Sequence, residues 1–132
     1  MYYDIEINNL CKELKESLFR DDDFSKIKEL VKEIIDLMEA SEWDSRQRDE
    51  IELPHVELMG KGYYQEALDI LRKVIEKESC NLDQGDLYVK MGVCYYYLKD
   101  KDNALKYFNR AIEDDEDYVD EARPYLKELR GY

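Results

Sequence analysis

The sequence predicts an all-α protein, and three observations carry that prediction. Apolar residues recur at steps of three and four, as in the run Ile27, Leu30, Val31, Ile34 and Met38. Threonine is absent, and the 132 residues hold only 2 prolines and 5 glycines, a poor supply for β-branched strands and tight turns. The same short motif of helix-spaced residues also returns along the chain, as a stack of helical hairpins would require. By length this is one domain able to bury a sizeable core.

In chain order, Ile5, Leu10, Leu14 and Leu18 describe a first amphipathic helix of about four turns. The run Asp21, Asp22, Asp23 follows, whose carboxylates cap free N–H groups and suit the positive end of a helix dipole. A core-facing helix then runs from Phe24 through Ile27, Leu30, Val31, Ile34, Ile35 and Met38 to the polar Ala40-Ser41-Glu42, completing an αα-hairpin. Its pattern is reproduced by Tyr64, Ala67, Leu68, Leu71, Val74 and Ile75 after Gly60-Lys61-Gly62. It is reproduced again by Ala104, Leu105, Phe108, Ala111 and Ile112 after Lys99-Asp100-Lys101-Asp102.

With Ile27, Ala67 and Ala104 equivalent, the copies are offset by 40 and 37 residues, and Ile27/Val31/Ile34, Ala67/Leu71/Val74 and Ala104/Phe108/Ala111 align without a gap. A single hairpin cannot cover its own apolar face, so such a period signals stacked repeats. The same register aligns Cys11/Leu14/Leu18 with Tyr88/Met91/Tyr95 and with Ile51/Pro54/Leu58. Pro54 either kinks a long helix beginning near Trp43 or opens a short one ending at Gly60. From Tyr118 to about Arg130, Val119, Ala122, Tyr125, Leu126 and Leu129 predict a final covering helix.

Charge removes several function classes. The formal net charge is −13, from 33 acidic against 20 basic residues, and the basic residues are not segregated, so phosphate backbones and anionic membranes are repelled. Neither a nucleic acid nor a membrane is an expected partner. Cys11, Cys80 and Cys94 lie far apart and are odd in number, which reads as reduced thiols, and no apolar stretch suggests a signal peptide or a span. A cytoplasmic protein is expected. Glu52-x-x-His55 has the spacing of half a di-iron ligand set, but His55 is the only histidine. Cys94 reads as a packing residue, and no phosphate loop follows any strand, so no metal, cofactor or enzymatic activity is expected.

Tyr88-x-x-Met91-Gly92-x-x-Tyr95 followed by Ala104-x-x-x-Phe108-x-x-Ala111 resembles the tetratricopeptide repeat. Small Gly92 and Ala104 let the two helices approach while Tyr95 and Phe108 fill the space around them. The copy at about 49 to 82 keeps Gly62, Tyr64, Ala67, Leu71 and Val74; the copy at about 8 to 41 keeps only apolar character, and Glu116 stands where the family carries proline. The resemblance implies a right-handed solenoid of antiparallel hairpins. Its repeats cover about 8–41, 42–84 and 85–117, with a cap at about 118–130, all in one domain over 1–132.

By the same resemblance the first helix of each hairpin lines a concave groove for a protein or peptide. The matching groove positions are Asp86, Val89, Val93, Tyr96 and Tyr97 on the third hairpin, Glu52, Val56 and Met59 on the second, and Lys12, Glu16 and Phe19 on the first. Val89 and Val93 stand where a carboxylate clamp would need cations. Tyr95-Tyr96-Tyr97 spreads over about 200° of a helix, so at least one ring faces out and can anchor a ligand. The run Glu113, Asp114, Asp115, Glu116, Asp117 opposes the dipole of the helix it ends and suits electrostatic steering of a basic partner. Charge and size fit a chaperone or an immunity protein that neutralises a cationic protein. The alternative is a self-associating assembly element, a homodimer, that covers its own open end.

Overall fold

The computed structural model describes residues 4–41, 53–77 and 84–130, and every regular element among them is helical. The helices are α1 (Asp4–Phe19), α2 (Phe24–Ala40), α3 (His55–Gly60), α4 (Tyr64–Lys77), α5 (Gly85–Tyr97), α6 (Lys101–Asp114) and α7 (Val119–Arg130), with a 3-10 turn at Glu116–Tyr118. They pack as adjacent pairs, the arrangement of a tetratricopeptide-like hairpin array. The chain forms two compact units, Met1–Ser79 and Cys80–Tyr132.

In the first unit α1 packs on α2 and α3 on α4, while α2 and α4 join the two pairs. Ile7, Cys11, Leu14 and Leu18 enter the core from α1 at steps of four and three, facing Ile27, Val31, Ile34 and Met38 of α2. Ile5 is 74 % exposed: its step of five to Leu10 breaks the helical period, and Ile7 takes the core position expected of it. Phe24 is also half out in water, lying flat on Tyr63 with ring centroids 5.6 Å apart. Within the acidic run Asp23 is the cap, accepting from the Lys26 N–H at 3.1 Å. Asp21 takes the left-handed turn at φ 56°, a conformation aspartate tolerates better than most residues. Pro54 opens α3 rather than kinking a longer helix, since Leu53 and Pro54 are outside the helix and α3 ends at Gly60.

In the second unit α5 and α6 form the closest pair, and α7 packs against both. Phe108 is completely buried, and a β-carbon on Gly92 would stand 2.7 Å from its ring. The glycine is therefore what lets α5 lie directly on α6. Tyr95 stacks on Tyr107 at 5.4 Å and Phe108 on Tyr125 of α7 at 5.4 Å. The α5–α6 connection turns at Lys99 with φ 67°, tied by the Lys99 N–H to Tyr96 O at 3.1 Å and the Asp100 N–H to Tyr95 O at 2.9 Å. That is the Schellman arrangement, with lysine where glycine is usual. Asp100 then caps α6, accepting from the Asn103 N–H at 3.2 Å.

Candidate protein-binding surfaces

Each unit carries its own candidate surface. On α1 the side opposite the core presents Lys12, Glu16 and Phe19, all exposed, with Phe19 at 85 %. The neighbouring α3 presents Val56, 55 % exposed, and the half-buried Met59. Lys15 and Glu57 pair at 3.7 Å and join the two helices. Beneath them Cys11 is buried, and burial, opposed by the Lys15 charge, pushes its thiol up to about 12. Glu52, also expected on this surface, lies outside the described residues.

On α5 the expected stripe divides. Val89 is only 5 % exposed and offers a partner no contact area, so the accessible stripe begins at Val93, which is half-buried. Asp86 is exposed but already paired with Lys90 at 2.6 Å, one helical turn on. Tyr97 is 46 % exposed and meets Tyr96 edge-on at 5.0 Å. Tyr96 in turn sits edge-on to Tyr125 of α7 at 5.0 Å and donates its hydroxyl hydrogen bond to Glu128. That hydrogen bond, with burial added, raises the Tyr96 phenol to about 12. Tyr96 thus fixes α7 in place and leaves Tyr97 as the outward ring of the triple tyrosine. Sequence reasoning missed Tyr125 and Glu128 in this role, although their three-residue spacing puts both within one turn of α7.

Glu113, Asp114, Asp115, Glu116 and Asp117 are all exposed around the end of α6 and the 3-10 turn. Asp115 accepts from the Asp117 N–H at 2.9 Å, which gives it a local structural task. The last turn of α6 has no basic residue. Among the described residues no three His, Cys, Asp or Glu side chains converge as a metal site, and no helix is long and apolar enough to cross a membrane.

The second buried thiol, Cys94, is likewise raised to about 12 by desolvation. A thiol reacts as its thiolate. With Cys80 replaced by serine, native protein at pH 8 is therefore expected to resist an aromatic disulfide reagent, and denatured protein to titrate two thiols. The same shifts set a pH trend. Above pH 9 the unfolded chain loses thiol protons that the folded chain keeps, and above pH 10 the same holds for Tyr96, so folding stability should fall as pH rises from 9 towards 12. Urea midpoints at pH 8 and pH 10.5 measure it; equal midpoints would show that these groups are open to solvent.

These features define a class: paired helices with apolar side chains held out on the first helix of a pair. A family model of the tetratricopeptide repeat matches residues 85–118, the segment from α5 through α6 and the 3-10 turn. The match supports the resemblance carried by Tyr88, Met91, Gly92, Tyr95, Ala104, Phe108 and Ala111, and a repeat of this kind suggests a protein–protein interaction module. No curated protein and no solved structure matches the chain.

Proposed function

We propose that the chain is a non-enzymatic interaction module that binds a basic protein or peptide through exposed apolar stripes, one on α1 and α3 of the first unit and a separate one on α5 of the second. The observation that carries this reading is the placement of Phe19, Val56 and Tyr97 in water on helices whose opposite sides are tightly packed. Large exposed apolar side chains gain little in a free monomer and act as anchors once a partner covers them. The net charge of −13 supports a cationic partner. A chaperone or an immunity protein that sequesters a cationic protein has these properties.

The test is affinity capture from the source cells by wild type and by Phe19→Ala/Val56→Ala. The wild type should retain a basic protein, and the variant should bind it at least about 10-fold more weakly, since two interface anchors are lost. Thermal stability should stay within about 0.5 kcal/mol, since both sites are on the surface. Equal retention by the two proteins, or capture of acidic proteins alone, overturns the reading.

A further inference from the structure

The outer side of α7 differs from the rest of this acidic surface. Val119, Arg123, Leu126, Lys127 and Arg130 line a hollow of about 270 Å³. They succeed one another at steps of four, three, one and three, so all five lie on one side of the helix. Leu126 is buried at its base and Val119 half-buried, while the three cations stand at its rim. Arg123 has a local partner in Asp120 at 3.1 Å, and Arg130 donates to Asn109 at 3.0 Å. Lys127 has no ion pair among the described residues. A basic partner is repelled here, so this surface is not the one proposed above.

What it fits is decided by the polarity of the helix itself. The first turn of α7 is acidic, with Asp120 and Glu121, and its last turn basic, with Lys127 and Arg130. Glu116, exposed in the 3-10 turn, extends the acidic end four residues before Asp120, so Glu116, Asp120, Arg123 and Lys127 form a row that changes sign halfway along. Such a row is complementary to a second copy of itself run backwards. Two-fold symmetry gives that relation, since it brings residue i of one copy to residue j of the other and j to i.

We propose that the outer side of α7 is a self-association surface, on which two copies pair these helices antiparallel so that Glu116 and Asp120 of each meet Lys127 and Arg130 of the other. Between the charged ends the half-buried Val119 adds apolar contact, while Leu126, 6 % exposed, stays in the core of its own chain. One helix side on each copy covers well under the roughly 800 Å² per partner of a standard interface, so the dimer is weak and reversible.

Sedimentation of the full chain from about 10 μM to 1 mM should show a monomer–dimer equilibrium with a Kd on the order of 100 μM, the range of small transient contacts. Lys127→Glu/Arg130→Glu should stay monomeric throughout, as should Glu116→Lys/Asp120→Lys, each with unchanged helix content by circular dichroism. An equimolar mixture of the two should dimerise, because opposite charges again meet at both ends of the contact. A misfolded variant cannot give that rescue. Wild type that remains monomeric at 1 mM, or a mixture that shows no heterodimer, overturns the proposal. So does wild type that stays monomeric but binds an acidic helical peptide, which would assign the hollow to another anionic protein.

Discussion

Phe108→Ala is expected to lower stability by about 3–5 kcal/mol, the usual cost of emptying a fully buried phenylalanine site. The ring has no exposure, lies under Gly92 of α5 and stacks on Tyr125 of α7. It therefore belongs to both helix contacts that α6 makes in its unit. Relaxation cannot fill the space cheaply, since Gly92 has no side chain to move in and Tyr125 is held edge-on by Tyr96 at 5.0 Å. A domain of ordinary stability has about 5–15 kcal/mol in all, so α5, α6 and α7 should melt together at a much lower denaturant concentration. Urea unfolding followed by tyrosine fluorescence measures it. A loss below about 1 kcal/mol would mean that the second unit does not rest on this ring.

The second large effect concerns association rather than folding. Glu113, Asp114 and Asp117 changed together to lysine should slow binding of the proposed basic partner about 10-fold or more and flatten its salt dependence, because steering by opposite charge can raise association rates by one to three orders of magnitude. Asp115 is left in place for its hydrogen bond to the Asp117 N–H. Glu116 is left in place as part of the α7 row. The folding effect has the opposite sign. Two of the reversed residues lie in the last turn of α6, where cations favour the helix dipole and anions oppose it, so thermal stability should hold or rise by up to about 1 kcal/mol. Stopped-flow association at several salt concentrations together with a melting curve tests both. An unchanged rate would remove the acidic run from the binding account.

The second helices were plain in the sequence. All nine aligned positions, from Ile27/Val31/Ile34 through Ala67/Leu71/Val74 to Ala104/Phe108/Ala111, are buried. They repeat the same small-and-large packing problem, and helical spacing alone identifies the inward side. The first helices were harder to read, for physical reasons. Ile5 is apolar yet off the period, and only its step of five to Leu10 betrays this. Val89 and Val93 lie one turn apart on one stripe but differ in burial, which depends on what stands above each residue and not on periodicity. Pro54 fits two local geometries equally well until the backbone beside it is seen. Tyr96 reads as a ligand anchor because tyrosine serves both purposes, and its bond to Glu128 joins residues 32 positions apart, beyond any local pattern.

The contact between Gly92 and Phe108 limits what mutation can reach. Because a single methyl at 92 collides with the ring at 108, enlarging 92 demands shrinking 108 in the same lineage. Two codons sixteen apart are therefore coupled in one direction, and divergent descendants of this chain that carry a side chain at 92 should also carry a smaller residue at 108.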